Sequence, residues 1–172
     1  SEEAAELGEK IIKPKIGVML EVPAVIYQLP QLAKHVDFFS VGSNDLTQYL
    51  LAVDRNNARV ADLYDSYHPA VLTALYHIVQ QANALNVPVT VCGELAGEPA
   101  GAVLLLGMGY RKLSMNNHNL LKVKWVVRNV SLQQSELLLH RVLTLDNPKE
   151  VRQEVNLYLE TIGLGGLVRA GI

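Results

Sequence analysis

Polar or reactive side chains stand at the end of four short, apolar, strand-like segments of this chain. Glu21 and Cys92 end two of the segments, Asn44 and Asp45 follow a third across a Gly-Ser turn, and an Asn-Asn pair follows the fourth. Parallel strands share one direction, so their carboxyl ends and the loops that follow them meet at one edge of a sheet. We therefore expect these side chains to form one site.

The two carboxylates, Glu21 and Asp45, are the candidate metal ligands. Neighbouring strands lie about 4.8 Å apart, so both side chains could reach one ion, and without a cation they would repel each other. Oxygen ligands and a partly hydrated ion completed by substrate phosphate suit Mg²⁺. Taken singly, Asp45 could instead cap a short helix that begins at Leu46, and Glu21 could pair with a lysine. The two carboxylates together, at matching strand ends, favour the metal site.

An arginine on the same side of the predicted sheet could hold an anion. Arg55 lies in the loop VDRNN, which follows the short helix after Asp45. A guanidinium there can bind a phosphate through two hydrogen bonds. Arg59 is an equally good candidate by spacing, and either residue could be an ordinary surface arginine.

The single cysteine, Cys92, is the candidate for proton transfer or nucleophilic attack. A cysteine at a strand end is often only a small buried hydrophobic residue. In VCGELAG, however, Gly93 and Gly97 leave space around it. An unperturbed thiol has a pKa of about 8.5 and is mostly protonated at neutral pH, so it could donate a proton as well as attack. Glu94 is a further metal-binding or hydrogen-bonding group, or the cap of the next helix.

The elements that must position these residues alternate between short apolar runs and stretches of helical periodicity, which predicts βα units and a parallel sheet. The predicted strands are 16–21, 37–41, 87–92 and 112–115. Four helix starts carry capping signals, and the helix from Pro99 is expected to stop at Gly107. The signals are His68-Pro69, Glu98-Pro99, Ser131 with Gln134, and Asn147-Pro148.

Composition excludes several classes of function. The chain has 172 residues with 49% hydrophobic content, enough for one globular domain or part of one. Fifteen basic and seventeen acidic residues give a net charge of −2 without a basic stripe, which argues against nucleic acid as a partner. The longest apolar run, 102–106, is far short of the roughly 20 residues of a membrane helix. One cysteine is compatible with a reducing cytoplasm.

Five stretches, in order, carry a resemblance to a known family: IGVMLEVPA, DFFSVGSNDLTQYLLAVDRNN, LYDSYHPAV, VCGELAG and LLLGMGYRKLSM. With them the chain resembles the carboxyl-terminal part of the phosphoenolpyruvate-utilising enzymes over about residues 14–128. It is most similar to the Enzyme I-type phosphoenolpyruvate-protein phosphotransferases, and among these to the nitrogen-related paralogue. Several motifs in register make this resemblance specific.

The resemblance implies an α/β fold that is the second half of a (β/α)8 barrel, with four βα units and extra carboxyl-terminal helices, over residues 1–172. It implies that Glu21 and Asp45 bind Mg²⁺, and that Asn44 and Arg55 bind the phosphate of phosphoenolpyruvate. Cys92 would protonate the enolate of pyruvate. The phosphoryl group would pass to a histidine of a separate domain and then to a histidine-containing phosphocarrier protein.

A full barrel of this type has about 250 residues, so the resemblance also implies a fragment that is inactive alone. Four strands leave two open sheet edges and an apolar inner face, which predicts self-association, and the family forms homodimers. Three alternatives stay open. The segment could be a dimerisation or regulatory module helped by residues 164–172, a part of phosphoenolpyruvate synthase or pyruvate phosphate dikinase, or a hydrolase that uses Cys92 with His68 or His118.

Overall fold

The computed structural model describes residues 13–169, and its centre is one parallel sheet of four strands. The strands are β1 Gly17–Leu20, β2 Phe38–Gly42, β3 Val89–Cys92 and β4 Leu113–Ser114. They lie in sequence order, and each pairs in parallel with the next. The prediction of four parallel βα units is thus confirmed. Strands β1 and β4 are shorter at both ends than the apolar runs suggested, β3 begins later, and β2 both begins and ends one residue later.

Helices connect the strands and continue beyond the last one. The α-helices are α1 Leu29–Leu32, α2 Ser43–Leu51, α3 Pro69–Ala84, α4 Glu94–Gly97, α5 Pro99–Met108, α6 Asn117–Asn129, α7 Leu132–Val142, α8 Pro148–Thr161 and α9 Gly165–Arg169, and the 3-10 segments are Pro23–Gln28 and Ala61–Leu63. Helices α7 and α8 are extra carboxyl-terminal helices that the sequence predicted, whereas the short helix α9 was not predicted. No helix within residues 13–169 has the length and apolar character needed to cross a membrane.

Side-chain caps begin four of these helices and confirm most of the predicted signals. The Nδ1 atom of His68 accepts a hydrogen bond from the main-chain N–H of Ala70 at 3.1 Å. Asn116, Ser131 and Asn147 cap α6, α7 and α8 in the same way. Each cap satisfies an N–H group that the first turn of a helix leaves free, typically stabilising the helix by about 1 kcal/mol.

Helix α5 ends one residue later than predicted, and the glycine that ends it is a different one. The helix continues through Met108, and Gly109 adopts the left-handed conformation with φ 112° as its C-cap. Gly107 is needed for close packing instead, since a Cβ atom there would overlap the carbonyl oxygen of Ser135 in α7. The close contact between α5 and α7 therefore requires a residue without a side chain at position 107.

The two faces of the sheet differ in burial. Phe39, Val41 and Val91 point to one face and are fully buried against the helices. Residues that alternate with them, Ser40 and Thr90, are half-buried, and Met19 in register with Ser40 is 42% exposed. This second face was expected to be apolar, and that expectation is wrong in part. Cys92, two residues after Thr90 in β3, lies on this same face.

The sheet has two open edges within the described residues, as predicted. Strand β1 has only β2 as a neighbour, and β4 has only β3. Large apolar side chains are also exposed: Ile16, next to β1, at 53%, and Leu121 and Trp125 in α6 at 75% and 58%. Leu164, in contrast, is buried in the core, so it offers no surface for a partner. The residues after 169 lie outside the described part of the chain.

Candidate functional site

The carboxyl ends of the four strands form one row, as the sequence predicted. Leu20 is in register with Val41, which places Glu21 level with Gly42. Gly42 is in register with Cys92, and Cys92 with Ser114. A cleft of about 330 Å³ opens beside this row, and Asn44 and Cys92 are among its lining residues. Two of the predicted site residues therefore share one cavity.

Helix α2 begins directly after β2, which corrects one prediction. Gly42 is the last residue of the strand and Ser43 is the first residue of the helix. No Gly-Ser turn separates the two elements, and the helix begins three residues before Leu46, where it was predicted to begin. Ser43 makes this possible because its hydroxyl donates to the carbonyl oxygen of Cys92 at 2.7 Å. Asp45 lies in the first turn and is not the N-cap, which removes the capping explanation for this carboxylate.

Asn44 has a fixed orientation in the cleft. Its side-chain oxygen Oδ1 accepts a hydrogen bond from the main-chain N–H of Glu94 at 3.0 Å. The other end of the amide, Nδ2, is then the end that can donate to a bound molecule. The same hydrogen bond joins the loop after β3 to the start of α2, so the cleft wall and the donor are positioned together.

Asp45 and Arg55 form an ion pair, which decides between the two candidate arginines. The Nη2 atom of Arg55 donates to Oδ1 of Asp45 at 3.2 Å, and the two side chains are 34% and 40% exposed. Arg59 is exposed and lies in a turn where its N–H donates to Asn57. Sequence spacing could not distinguish these arginines, whereas the fold brings Arg55 alone to the predicted metal ligand.

Arg55 has an unused hydrogen-bonding group. Its Nη1 atom is buried and has no hydrogen-bond partner among residues 13–169. The main-chain N–H of Arg55 donates to Oε1 of Gln48 at 3.3 Å, and this bond holds the loop against α2. A buried guanidinium nitrogen without a partner is energetically unfavourable, so the arrangement favours an additional acceptor such as a phosphate oxygen.

Glu21 lies against Gly42 at the end of the neighbouring strand. If Gly42 had a Cβ atom, it would lie 2.7 Å from Cγ and 2.8 Å from Oε1 of Glu21. The absence of a side chain at position 42 thus creates the space for this carboxylate. Glu21 is half-buried at the strand end.

The donor set fits a hard divalent cation in part. No cluster of three or more His, Cys, Asp or Glu side chains with the geometry of a metal site occurs within residues 13–169. Glu21 and Asp45 supply two carboxylates, and Mg²⁺ is commonly held by one or two carboxylates together with water and substrate phosphate. The space that Gly42 leaves for Glu21 is compatible with that use.

Cys92 is half-buried and forms a hydrogen bond that matches a protonated thiol. Its Sγ atom lies 3.3 Å from the carbonyl oxygen of Val41, to which only a thiol with its proton can donate. His68, proposed as a catalytic partner in the hydrolase alternative, uses its Nδ1 to cap α3. His118 is an exposed residue of α6. The geometry favours Cys92 as an acid over a nucleophile.

Sequence reasoning missed two polar residues of the site, Ser43 and Tyr64. The hydroxyl of Tyr64 donates to the main-chain oxygen of Asn44 at 3.3 Å, and burial raises the pKa of this hydroxyl although Arg55 and Thr47 act in the opposite direction. Tyr64 therefore stays a neutral donor. No local pattern shows which main-chain oxygen a tyrosine in a loop will reach, or which strand a serine will reach.

A larger cleft of about 470 Å³ lies elsewhere and lacks the predicted site residues. Two of its charged side chains, Glu98 and Arg152, already have partners. Tyr67 donates to Glu98 at 2.7 Å, and Arg152 stacks on the Tyr67 ring and pairs with Asp65. These contacts tie α8 to the loop before α3. Gly97 and Asn119 line both clefts.

Comparison with known proteins gives consistent matches. Residues 1–132 match the family model described as "PEP-utilising enzyme, PEP-binding domain". "Phosphoenolpyruvate-dependent phosphotransferase system" of Escherichia coli (strain K12) is 49% identical over 166 residues, which are 96% of this chain and 22% of that protein. "Phosphoenolpyruvate-protein phosphotransferase" of Cupriavidus necator is 45% identical over 136 residues, 79% of this chain and 23% of that protein.

A third relative matches over a smaller share of its own length. "Multiphosphoryl transfer protein" of Xanthomonas campestris pv. campestris is 44% identical over 137 residues, 80% of this chain and 16% of that protein. This chain thus spans about a fifth of the length of the curated relatives that it matches.

Proposed function

Because this chain belongs to the phosphoenolpyruvate (PEP)-utilising enzymes and matches their PEP-binding domain over residues 1–132, we propose that it forms the PEP site of a PEP-protein phosphotransferase. The observation that carries the proposal is the buried, unpartnered Nη1 atom of Arg55, whose Nη2 atom pairs with Asp45 in the first turn after β2. The names of the curated relatives favour the protein phosphotransferase over PEP synthase or pyruvate phosphate dikinase. The site is proposed as half of a (β/α)8 barrel that further strands complete.

In this proposal, Asn44 and Arg55 bind the phosphate of PEP. The Nδ2 group of Asn44 donates to one phosphate oxygen, since its Oδ1 is held by Glu94. Arg55 supplies both positive charge and the free Nη1 donor. Charge-assisted hydrogen bonds of this kind are about twice as strong as neutral ones. Together the two residues orient the phosphate and stabilise the charge that develops on it during transfer.

Glu21 and Asp45 would hold Mg²⁺ in this site. When bound, such an ion neutralises phosphate charge and orients the group to be transferred. The remaining steps depend on side chains of the chain itself. Tyr64 and Ser43 hold the backbone of Asn44 and Cys92, and so keep the donor and the acid in place.

Cys92 is proposed as the acid that completes the reaction. The bond between phosphorus and the bridging oxygen of PEP breaks, and the phosphoryl group passes to a histidine nitrogen outside this chain. The electron pair stays on the enolate of pyruvate. The thiol of Cys92 then gives its proton to the terminal carbon of the enolate, which yields pyruvate and a thiolate that regains a proton from water. The half-buried Sγ atom at the cleft, within hydrogen-bond distance of the carbonyl oxygen of Val41, supports this role.

The test is calorimetric titration of the chain with PEP in the presence and absence of Mg²⁺. We expect Mg²⁺-dependent binding, and we expect Asp45→Ala to weaken it by at least about 100-fold, because loss of even an outer partner of a metal ligand costs 10- to 100-fold. Asp62→Ala is the matched control, since Asp62 is an exposed carboxylate outside the cleft. Equal binding of PEP by the wild-type chain and Asp45→Ala would contradict the proposal.

Partners follow from the same proposal. The phosphoryl group is proposed to pass through the enzyme histidine to a histidine-containing phosphocarrier protein, and the reaction is proposed to take place in the cytoplasm. Neither the histidine nor the carrier-binding region belongs to the residues that form this site.

Self-association is proposed from the two open sheet edges and the exposed Leu121 and Trp125. A second copy could cover these surfaces, because unpaired strand edges and apolar patches favour pairing. We expect a molar mass by light scattering of at least twice that of the 18.9 kDa chain. A monomeric mass over the whole concentration range would count against a dimer.

A further inference from the structure

Arg55 and Asp45 form an ion pair with each other in the structure, although the proposed function assigns them to different ligands. Nη2 of Arg55 lies 3.2 Å from Oδ1 of Asp45, and both side chains are partly exposed. A divalent cation on Asp45 would therefore lie beside a permanent positive charge. Charges this close interact strongly even at a partly exposed site, where the effective dielectric constant is below that of water.

The loop holds the main chain of Arg55 close to the helix that carries Asp45. The main-chain N–H of Arg55 is bound to Gln48, and Gln48 belongs to α2, the helix that also carries Asp45. The main chain of Arg55 is thus held to the helix that carries the carboxylate, and its guanidinium reaches the same helix through Asp45. The free Nη1 atom is on the same guanidinium and has no acceptor among the described residues.

Resting on the proposed function, we infer that Arg55 makes the site selective for a metal ion together with a phosphate, and antagonistic to a metal ion alone. Without phosphate, the guanidinium repels the cation and competes for the carboxylate of Asp45. With phosphate, the anion lies between the two positive charges and accepts a hydrogen bond from Nη1. The cation and the guanidinium are then both attracted to the anion, which offsets their mutual repulsion. By linkage, phosphate must raise the affinity for the metal by the same factor by which the metal raises the affinity for phosphate.

The test measures binding of Mn²⁺, a paramagnetic substitute for Mg²⁺, by the loss of the free-ion electron paramagnetic resonance signal. With Mn²⁺ alone, Arg55→Ala is expected to bind about 5- to 150-fold more tightly than the wild-type chain, which is the usual range of coupling between ligands. With PEP present, the wild-type chain should gain affinity for Mn²⁺ by a similar factor. Arg55→Ala should lose that gain.

Arg59→Ala is the matched control, because it removes the same charge from the same loop at an exposed position without an ion pair to Asp45. It should bind Mn²⁺ like the wild-type chain in both conditions. Arg55→Gln removes the charge and keeps hydrogen-bonding capacity, so it should behave like Arg55→Ala towards Mn²⁺ alone. This second variant keeps the test valid if the alanine variant does not fold.

The outcomes separate this inference from the proposed function. If PEP raises the affinity of the wild-type chain for Mn²⁺ but neither Arg55 variant binds Mn²⁺ alone more tightly, the proposed function stands and the inference is wrong. If both Arg55 variants bind Mn²⁺ more tightly but PEP affects no variant, the antagonism is real and PEP is not the ligand. Failure of every variant to bind Mn²⁺ overturns the inference.

Discussion

Replacing Cys92 with alanine is expected to slow the exchange of pyruvate methyl protons with deuterium oxide by about 10²- to 10⁴-fold, the usual contribution of a positioned acid or base. The group that protonates the enolate carbon must, in the reverse direction, remove a proton from the methyl group of pyruvate. This half-reaction needs neither the phosphoryl acceptor nor the carrier protein. It can be followed by proton NMR with the chain, pyruvate and Mg²⁺.

Cys92→Ser separates acidity from packing at this position. A serine hydroxyl can still donate to the carbonyl oxygen of Val41, as the thiol does at 3.3 Å, but it is a far weaker acid. We expect it to be as slow as the alanine variant, while calorimetry shows unchanged binding of PEP for both. An exchange rate equal to that of the wild-type chain in either variant would show that another group transfers the proton.

Replacing Gly93 with alanine is expected to have the largest effect on stability, lowering the free energy of unfolding by about 2–5 kcal/mol. Gly93 has φ 117°, a conformation that is strained for any residue with a side chain. A Cβ atom there would also overlap Oγ of Ser43 and lie 2.7 Å from Oδ1 of Asn44. The new methyl group must displace the hydrogen bonds that position Cys92 and Asn44, so binding of PEP should be lost as well.

Two other glycines separate the causes of this effect. Gly163 also has a positive φ of 79°, but a Cβ atom there would meet nothing within 4 Å. Gly163→Ala should therefore cost only about 1 kcal/mol. Gly166 also has open space around it and no positive φ, so Gly166→Ala should not destabilise the chain. Urea unfolding followed by circular dichroism measures all three. A cost for Gly93→Ala no greater than that for Gly163→Ala would show that overlap with Ser43 and Asn44 is unimportant.

Both predictions concern residues at the contact between the end of β3 and the start of α2. Ser43 at the start of α2 binds the carbonyl oxygen of Cys92, and Gly93 follows Cys92 and leaves room for Ser43. Position 92 therefore depends on a residue 49 positions earlier in the chain. A defect at either end should disturb both the acid and the amide of Asn44, whereas a defect in Cys92 alone should leave binding intact.

The order of elements and the edge that carries the site could be predicted from sequence because both depend on local patterns. Short apolar runs that alternate with helical periodicity indicate parallel βα units, and capping residues such as His68 and Ser131 mark helix starts within a few residues. Polar residues at the ends of such runs must then meet at one edge. Glu21, Asn44 and Cys92 were identified in this way, and their strands lie as expected.

Local patterns do not contain the distances between segments that are far apart in the chain. The sequence by itself determined the fold class, the four strands and the residue types at their carboxyl ends, because hydrophobic periodicity and capping act over a few residues. Only the tertiary structure decided that Arg55 and not Arg59 pairs with Asp45, and that Ser43 supports Cys92. These choices depend on strand register and on a loop path held by Gln48, which arise only when the whole sheet packs.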